Sequence, residues 1–397
     1  MARLGDYIEQ IRGVSYKPED VCTAQDKDAV AILRANNIQD DGLNFDDLVY
    51  VKKSKVSAIQ YIKAGDIVVC ASSGSKNLVG KAAIATEDMD FSFGAFCKVV
   101  RPRKLLPSYV GHYFQSPKYR NKISELAGGA NINNIRNEHI DELDIVVPNT
   151  DEQERISIEL NKNCYLISLR KQQLSKLDEL VKSRFIEMFG DPETNPRKWP
   201  ISKLSEFCDL QNGYAFRSED YLDNSTVLNC RMSNIRPDGG FDAEYHPKYL
   251  PETFWNKYKE YRLIDGDVII AMTDMASDPK ILGVPTIVRT NGYKFLLNQR
   301  VGKLSFYDNS QINNVYLMFV LSQKNIRQQL VKSAGGSTQI NVGKPAILGV
   351  EFFVPTLDLQ NQFAAFVEQT DKSKLAIQQS LEKLETLKKA LMQKYFG

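Results

Sequence analysis

The second half of this chain repeats the first half. Ala127-Gly128-Gly129 recurs 207 residues later as Ala334-Gly335-Gly336, and several other segments recur at that spacing. These include Val147-Pro148 with Val354-Pro355, Gln153 with Gln360, Leu174 with Leu381, Leu177 with Leu384, and Phe189-Gly190 with Phe396-Gly397. A polypeptide made of two similar copies is a pseudo-dimer, and a pseudo-dimer suits a target that has two sides.

The repeat extends to the front of each copy with small shifts of register. Gly65-Asp66-Ile67-Val68-Val69 resembles Gly266-Asp267-Val268-Ile269-Ile270 at a spacing of 201, and Glu19-Asp20 matches Glu219-Asp220 at a spacing of 200. Insertions therefore separate the matched segments. The two copies are predicted to share a frame and to differ in their loops, where recognition usually varies.

Composition indicates a protein of the cytoplasm. The 397 residues are 43% hydrophobic and 25% charged, which suits a globular protein of about two to four domains. No apolar run approaches the roughly 18 residues of a membrane span, and the start of the chain shows no secretory or transit pattern. The six cysteines are scattered without a CxxC pair, as expected for reduced thiols.

Charge and histidine content narrow the function classes. A net charge of +2 argues against general polyanion binding, but it permits one basic face for selective DNA binding. The three histidines, His112, His139 and His246, lack the spacing of metal ligands and are predicted to be structural or surface residues. Gly80-Lys81 lacks the spacing and the following Ser or Thr of a phosphate-binding loop.

Each copy divides into a mixed region, which we call a head, and a long helix. The heads contain short β-like runs between Gly, Asn, Ser and Asp turns. Residues 151–188 contain neither Pro nor Gly, and Thr150 with Gln153 fits a capping box. Apolar residues recur every seven positions along this stretch, which predicts a seam that packs on another helix. The seam comprises Leu160, Ile167, Leu174, Val181 and Met188. Leu177 and Leu180 are predicted to broaden it.

The second helix carries a similar but interrupted seam. Lys374 and Lys388 break a pattern made by Val367, Leu381 and Tyr395 on one position and by Ile377, Leu384 and Leu391 on a neighbouring one. A single amphipathic helix of roughly 55 Å is unstable with its apolar stripe exposed, so the other copy's helix is the expected partner. The predicted fold is two α/β (α+β) domains in tandem, with the helices paired as an antiparallel coiled-coil spacer of pseudo-two-fold symmetry between two heads.

These patterns predict five segments. The first head covers residues 1–150 and its helix 151–190. A linker rich in turn-forming residues covers 191–200. The second head covers 201–357 and its helix 358–397.

This arrangement resembles the DNA-specificity subunit of type I restriction–modification systems over essentially the whole chain. Three features carry the resemblance. The first is the order head, helix, head, helix. The second is the junction Phe189-Gly190-Asp191-Pro192, continued by Asn195-Pro196-Arg197-Lys198-Trp199-Pro200. The third is the Gly-Asp strand of each head, followed by a polar loop and a later Gly-Gly turn.

The resemblance implies two target-recognition domains that each recognise half of a split sequence in double-stranded DNA. It implies helices that fix the gap between the half-sites and that dock two adenine methyltransferase (M) subunits. It also implies that two ATP-dependent restriction and translocase (R) subunits join the full complex. The chain itself is then expected to be non-catalytic and to hold no cofactor or metal, since S-adenosylmethionine, ATP and Mg²⁺ belong to the partners. Because the heads differ in sequence, the DNA site should be asymmetric.

Candidate DNA-binding residues are polar or basic side chains in loops of the heads, because such side chains bind base edges and phosphates. In the first head they occupy an early turn, the loop after the Gly-Asp strand and the Gly-Gly turn. They are Arg34, Asn36, Ser72, Ser73, Lys76, Asn77, Lys81, Asn131, Asn133, Asn134 and Arg136. The alternative for each is a solvated turn or a helix cap.

The second head has candidates at the equivalent places and in one further segment. Asn298-Gln299-Arg300 lies in a β-like run, where alternation lets at most two side chains face DNA. Tyr16 and Phe216 are paired by the repeat and are predicted to be structural. The candidates are Arg231, Asn234, Arg236, Thr273, Lys280, Asn298, Gln299, Arg300, Thr338, Gln339, Asn341 and Lys344.

Two other function classes remain open from the sequence. Asp238 and Asp278 with Lys280 imitate the carboxylates and lysine of a metal-dependent nuclease, in which case Asp278→Ala would abolish cleavage by the lone chain. A coiled-coil adaptor that binds proteins would show little salt dependence of any nucleic-acid association, whereas phosphate contacts give a steep one. The sequence has no Asn-Pro-Pro-aromatic or Asp-Pro-Pro-aromatic motif of an amino-methyltransferase.

Overall fold

The computed structural model describes residues 1–75, 77–126, 133–307 and 312–397. The chain forms two compact units. The first unit comprises Met1–Ser175 with Leu375–Gly397, and the second comprises Lys176–Lys374. Each unit therefore holds one head and a part of both long helices. In the described ranges no helix has the length and apolarity that crossing a membrane requires.

The first head is built from short strands and three helices. Its strands are β1 (Ala2–Arg3), β2 (Ile8–Arg12), β3 (Val21–Cys22), β4 (Ala29–Leu33), β5 (Ile38–Gln39), β6 (Gly42–Leu43), β7 (Val49–Lys52), β8 (Ile67–Cys70), β9 (Ser72–Ser73), β10 (Ala82–Ile84), β11 (Ser92–Phe93), β12 (Cys97–Pro102), β13 (Asn133–Asn134) and β14 (Asp144–Ile145). Its helices are α1 (Pro107–Gln115), α2 (Pro117–Leu126) and α3 (Asn137–Asp141). The first long helix is α4 (Thr150–Phe189).

The second head repeats this plan. Its strands are β15 (Ile201–Lys203), β16 (Cys208–Asn212), β17 (Val227–Cys230), β18 (Tyr249–Leu250), β19 (Arg262–Leu263), β20 (Val268–Ala271), β21 (Thr273–Met275), β22 (Pro285–Ile287), β23 (Lys294–Leu297), β24 (Val301–Phe306), β25 (Gln339–Asn341) and β26 (Glu351–Phe353). Its helices are α5 (Glu252–Lys257), α6 (Asn314–Leu321), α7 (Lys324–Ser333) and α8 (Lys344–Leu348). The second long helix is α9 (Leu357–Phe396).

The same antiparallel sheet lies at the centre of each head. Its strand order is β10-β8-β12-β2 in the first head and β22-β20-β24-β16 in the second. The central strands β8 and β20 are continuous apolar runs that are buried along their whole length, with every residue at most 2% exposed. Strands buried on both faces lack the apolar–polar alternation of half-exposed strands, which explains these runs. A second sheet in each head contains one parallel pair, β4 with β11 and β17 with β23.

The repeated Gly-Asp segment is a structural device. Gly65 and Gly266 adopt positive φ values of 85° and 88°, a region that glycine enters without strain. The aspartate that follows accepts a backbone N–H of the turn and pairs with a basic residue on the neighbouring strand. Asp66 accepts two hydrogen bonds of 2.7 Å from the Arg101 guanidinium, and Asp267 accepts one of 2.8 Å from Lys303.

The long helices run antiparallel within each unit, as predicted. In the first unit, partners on α9 descend in number as those on α4 ascend: Glu159 with Tyr395, Asn163 with the Leu384 carbonyl, and Arg170 with Ser380. In the second unit the Asp178 carboxylate lies 2.6 Å from Lys374 Nζ, and the rings of Phe185 and Phe363 are 5.4 Å apart. The predicted fold class is confirmed.

The seam itself agrees only in part with the heptad prediction. Leu160, Ile167, Val181 and Met188 are at most 9% exposed, but Leu180 is 48% exposed and does not broaden the stripe. The interruption at Lys374 is explained by its ion pair with Asp178 across the helix pair. The helix therefore tolerates a charge at this seam position because the Lys374 ammonium has a carboxylate partner.

The predicted capping box at the start of α4 is wrong. The helix begins at Thr150, and Asn149 Oδ1 accepts the N–H of Glu152 in the manner of an N-cap. Gln153 instead accepts the N–H of Leu106 at 3.0 Å and donates to the Pro148 carbonyl at 2.8 Å. In the second unit Gln360 makes the equivalent bonds to Asn313 and Pro355. The glutamine recurs because it joins each long helix to its head.

The C-terminal end of each long helix fills the core of a head. In the second unit the Phe189 ring lies 5.1 Å from Tyr316 and 5.5 Å from Phe363. In the first unit the Phe396 ring lies 5.2 Å from Tyr109 and 6.0 Å from Tyr113. The recurrence of phenylalanine at both helix ends is thus explained by packing.

The predicted linker is an ordered cap on the end of α4. Trp199 Nε1 donates to the Phe189 carbonyl at 2.9 Å, and Asn195 exchanges two hydrogen bonds with the Trp199 backbone. Gly190 has a φ of 86°, and a Cβ there would approach the Pro196 ring to 2.7 Å. The turn-forming residues of this junction therefore fold it back on the helix instead of leaving it extended.

Candidate DNA interface

Four segments that are distant in sequence line one concavity of about 770 Å³ in the first head. They are residues 14–16, 34–36, 72–74 and 94–97. The concavity brings together four predicted residues, Arg34, Asn36, Ser72 and Ser73. It also contains Cys97, but burial raises the pKa of that thiol to about 12, so the sulfur stays protonated and is a poor nucleophile at neutral pH.

Backbone hydrogen bonds hold these segments together. Val14 N–H donates to the Phe93 carbonyl at 2.7 Å, and Gly94 N–H donates to the Leu33 carbonyl at 2.9 Å. Ala71 N–H donates to the carbonyl of Phe96 at 2.8 Å. The ends of β4, β8 and β11 therefore converge, and each delivers its following loop to the same surface.

The second head reproduces these bonds with other residues. Tyr214 N–H donates to the Leu297 carbonyl at 2.9 Å, and Asn298 N–H donates to the Cys230 carbonyl at 3.0 Å. Met272 N–H donates to the Arg300 carbonyl at 3.0 Å. The segments that carry Arg231, Thr273 and Arg300 thus converge in the second head as their equivalents do in the first.

Arg34 and Asn36 are organised by one exposed carboxylate. Arg34 Nη2 donates to Asp47 Oδ2 at 2.7 Å and to the Asp47 carbonyl at 2.8 Å, and Asn36 Nδ2 donates to the same carboxylate at 3.2 Å. The Asp47 side chain is 77% exposed. Arg34 Nε is itself buried and has no hydrogen-bond partner among the described residues. Asp47 therefore fixes the position of the Arg34 guanidinium at the edge of the concavity.

The Gly-Gly turn of the first head is described only after residue 132. β13 pairs with β9 so that Asn133 and Asn134 lie opposite Ser73 and Ser72. Asn134 and Arg136 are exposed. Lys76 and Asn131 lie outside the described residues, as does the side chain of Asn133. The described part places a short polar ribbon beside the concavity, with hydroxyl and amide groups on adjacent strands.

Two more candidates of the first head lie on the loop between β9 and β10. Asn77 is exposed, and its carbonyl accepts a hydrogen bond from Arg120 at 2.9 Å. Lys81 Nζ lies 3.4 Å from Asp40, and its side chain is 19% exposed. Asn77 is thus accessible to a ligand, whereas Lys81 is partly neutralised.

Three candidates of the second head hold loops together and do not face solvent, contrary to prediction. Asn234 is 3% exposed; its Oδ1 accepts the Arg231 N–H and its Nδ2 donates to the Asp242 carbonyl. Thr273 is 2% exposed and donates to Asn341 Oδ1 at 2.6 Å. Asn298 is 7% exposed, and its Oδ1 accepts the N–H of Arg300 at 3.1 Å.

Gln299 and Arg300 lie in a tight turn between β23 and β24, not within a strand as predicted. The alternation argument therefore does not apply to them. Both side chains are exposed, while Asn298 is buried at the base of the turn.

The other candidates of the second head occupy several neighbouring elements. The Arg236 guanidinium stacks on the Tyr245 ring at 4.4 Å, and Lys280 Nζ lies 3.0 Å from Asp278. Thr338 is exposed, and Gln339 and Asn341 lie on β25 opposite Met275 and Thr273. Lys344 Nζ lies 2.6 Å from Asp209, and its hydrogen bond holds the pKa of that carboxyl below its usual value.

The Gly-Gly turn of the second head has a structural reason of its own. Gly336 has a φ of 129°, and a Cβ there would meet the Gln339 carbonyl oxygen at 2.0 Å. α7 ends at Ser333, just before this turn. Gly336 is needed for the turn, so its recurrence does not itself indicate a phosphate contact.

The carboxylates of the nuclease hypothesis do not form a metal site in the described part of the chain. Asp278 is ion-paired with Lys280, and Asp238 Oδ1 accepts the Gly240 N–H at 3.0 Å. Across the described residues, no group of three or more His, Cys, Asp or Glu side chains is arranged to hold a metal ion.

Sequence reasoning missed Phe96 as a site residue and assigned Tyr16 to structure. Both line the concavity, and Phe96 is 68% exposed. At a spacing of 204 residues, Gly94-Ala95-Phe96 aligns with Asn298-Gln299-Arg300. The sequence already identified all three residues of the latter segment as candidates. That alignment is the signal that would have identified Phe96.

Comparison with known proteins agrees with this architecture. The family model for the type I restriction modification DNA specificity domain matches twice, over residues 1–179 and 196–388. The StySPI specificity subunit of Salmonella potsdam is 29% identical over 97% of this chain and 86% of that protein. The EcoKI specificity subunit of Escherichia coli K12 is 34% identical over 65% of this chain and 58% of that protein.

A solved structure supports the fold independently. The S subunit of a type I restriction–modification system from M. genitalium aligns over 100% of this chain and 95% of its own, with a TM-score of 0.59 and 15% identity. A shared fold at this identity is consistent with heads that keep a frame and vary in their loops. With two matches of the family model covering most of its length, this chain belongs to the family of type I restriction–modification DNA-specificity subunits.

Proposed function

We propose that this chain recognises a bipartite, asymmetric site in double-stranded DNA, with one half-site for each head. The observation that carries the proposal is the equivalence of the two candidate surfaces. The same backbone hydrogen bonds assemble the same four segments in each head, but the exposed side chains on them differ. The recognition domains in this proposal are residues 1–150 and 201–357.

The exposed and half-buried groups on these segments have the chemistry that base edges require. The first head offers the guanidinium of Arg34, the amide of Asn36 and the hydroxyls of Ser72 and Ser73, which all line the concavity. Such donors and acceptors pair with groups in the major groove. The second head offers Gln299 and Arg300 on its turn, with Arg236 and Lys280 as further basic side chains.

The long helices would then act as the spacer. Two heads on one chain bind bivalently, so that the second half-site is engaged intramolecularly at a high effective concentration. Helix length would set the preferred distance between half-sites. In this proposal residues 151–190 and 358–397 are the spacer helices, 191–200 is the junction, and the helices dock two methyltransferase subunits.

The chemistry would belong to the partner subunits. We place S-adenosylmethionine on the methyltransferase subunits, and ATP and Mg²⁺ on two restriction and translocase subunits of the full complex. The proposed setting is the cytoplasm, and the six cysteines, which form no disulfide, agree with a reducing compartment.

The deciding experiment is methylome sequencing of a host that expresses this chain with the methyltransferase subunit of its own system. The expected result is adenine methylation at one split, asymmetric sequence. An assembled complex that adds no methylation, or methylates without sequence preference, would contradict the proposal.

A matched pair of variants tests whether the concavity is the recognition surface. Arg34→Ala removes its guanidinium and should weaken specific binding by about ten- to a hundredfold, as loss of a base contact does. Lys104→Ala removes one positive charge beyond the opposite end of β12, roughly 20 Å from the turn at Cys97, and should change binding little. Equal losses in both variants would point to general electrostatics.

A further inference from the structure

The two heads present different chemistry from one equivalent backbone position. Residues 94–97 form a turn in which the Gly94 carbonyl accepts the Cys97 N–H at 2.8 Å. Residues 298–301 form the same turn, with a bond of 2.9 Å between the Asn298 carbonyl and the Val301 N–H. The third residue of each turn is Phe96 or Arg300.

Both third residues are fixed in the same way. The carbonyl of Phe96 accepts N–H groups from Ala71 at 2.8 Å and Ser72 at 3.0 Å. The carbonyl of Arg300 accepts the N–H of Met272 at 3.0 Å, and the backbone N–H of Arg300 donates to Asn298 Oδ1. Each side chain therefore projects from a turn tied to the central sheet, which limits the entropy lost when it contacts a ligand.

The side chains themselves contribute nothing to a core. Phe96 is 68% exposed, and among the described large hydrophobic residues only Met1 is more exposed. Arg300 is exposed as well. Phe96 lines the concavity with Arg34, Ser72 and Ser73, so its apolar ring lies among donors and acceptors. Covering this exposed ring with a ligand is favourable, because apolar surface is removed from water.

The turn backbone does not dictate the identity of these residues. Positive φ values at described non-glycine residues occur at Asp47, Asn195, Lys198, His246 and Asn291, which lie outside both turns. A substitution at position 96 or 300 therefore meets no backbone strain. The backbone therefore does not determine which residue stands at this position, so the residue can be selected by the ligand that it contacts.

We propose that this turn carries a specificity-determining residue in each head; this inference rests on the proposed function. Phe96 contacts the 5-methyl group of a thymine in one half-site, and Arg300 donates to O6 and N7 of a guanine in the other. The thymine methyl is the apolar group at the major-groove edge of the base pairs. The fork of an arginine matches the two adjacent acceptors of guanine.

The test uses the chain assembled with its methyltransferase subunits and a duplex carrying the site found by methylome sequencing. Each thymine is replaced in turn by deoxyuridine, which lacks only the methyl group. Each guanine is replaced in turn by 7-deazaguanine, which lacks the N7 acceptor. Dissociation constants are measured for the wild-type complex and for complexes with Phe96→Ala and Arg300→Ala.

Replacing thymine with deoxyuridine at one position should weaken binding by the wild-type complex about three- to tenfold. The same replacement should not change the dissociation constant of the Phe96→Ala complex. One deazaguanine position in the opposite half-site should weaken wild-type binding about fivefold or more and leave the Arg300→Ala complex indifferent. The deoxyuridine and deazaguanine scans can be made with the wild-type complex alone. The inference therefore remains testable if a variant does not fold.

Several results would overturn the inference. One is a half-site without an A·T pair for the first head or without a G·C pair for the second. Another is an equal response of wild-type and variant complexes to every base replacement. For Arg300, a uniform loss of affinity across sequences with a shallower salt dependence would mean a phosphate contact instead. If the wild-type complex shows no sequence preference at all, the proposed function itself fails.

Discussion

The first and second heads share a buried asparagine at one turn and differ in the exposed residue at another. Asn37 and Asn234 are both buried, and each accepts an arginine N–H and donates to an aspartate carbonyl. On the equivalent turns, by contrast, an exposed phenylalanine stands in one head and an exposed arginine in the other. The recurring asparagine is thus part of the frame that the heads share, whereas the turn residue is where they differ.

The largest effects should come from the aromatic residues that end each long helix. Phe396→Ala should destabilise the first unit and Phe189→Ala the second, each by about 3–5 kcal/mol, because each leaves a cavity among buried rings. Hydrogen exchange resolved by peptide would measure the effect in each unit. If either variant loosened both units equally, the units would not be separate cooperative bodies.

A smaller effect distinguishes the units through pH. His112 is 7% exposed, and burial lowers its pKa from 6.5 to about 4, a shift that the Asn161 hydrogen bond opposes. Between pH 6.5 and pH 4 the unfolded chain binds a proton that the folded chain does not. Stability is therefore lost as pH falls through this window, by up to about 3 kcal/mol, and the loss stops below pH 4.

The second head supplies the control for this prediction. The position equivalent to His112 is Phe319, which packs on Phe185 at 4.5 Å between ring centroids. His112→Phe should remove this part of the pH dependence from the first unit and leave the second unit unchanged. Urea titrations at pH 7 and pH 5 would measure it, and an unchanged difference between the two pH values would refute the role of His112.

The two glutamines that join helix to head should matter equally. Gln153→Leu would leave the Leu106 N–H and the Pro148 carbonyl without partners, and Gln360→Leu would do the same at Asn313 and Pro355. Unsatisfied buried groups of this kind cost about 2 kcal/mol in total. Thermal unfolding of both variants would show equal losses if the junctions are equivalent; a loss in one variant alone would break the comparison.

The smallest predicted effect concerns the seam between the helices. Lys374 occupies the position that Ile167 has in the other copy and pairs with Asp178, which is 59% exposed. Lys374→Ile should change the free energy of unfolding by less than about 1 kcal/mol, since an exposed ion pair contributes little and the isoleucine gains burial. A loss well above that value, measured with urea, would show that the charge is required.

Much of the fold was predictable because it depends on local pattern. The heptad positions, the absence of Pro and Gly, and the Gly-Asp strands each have a short-range signature. Leu180 was misassigned because the seam is narrower than the apolar residues suggest. The capping box failed because Gln153 bonds to Leu106, which lies 47 residues away and cannot be foreseen from helix propensity.

The candidate surface was less predictable because exposure is a tertiary property. Thr273 and Asn298 have suitable side chains but are buried, Thr273 where β21 pairs with β25 and Asn298 at the base of its turn. Phe96 was missed because a side chain of the core type is not expected on a binding surface, and because the register between the copies shifts just before it. Turn hydrogen bonds, which become visible only in the folded chain, reveal that it corresponds to Arg300.

The division of the chain into its two units also has a consequence for synthesis on the ribosome. The core of the first unit includes Leu391, Met392 and Phe396 from the last helical turns of the chain. The second unit, Lys176–Lys374, emerges entirely before them. At about 5–20 residues per second, the nascent first head would wait roughly 10–40 s for its final helix. The part made first is therefore the part completed last, and its unfilled aromatic core is what chaperones would meet.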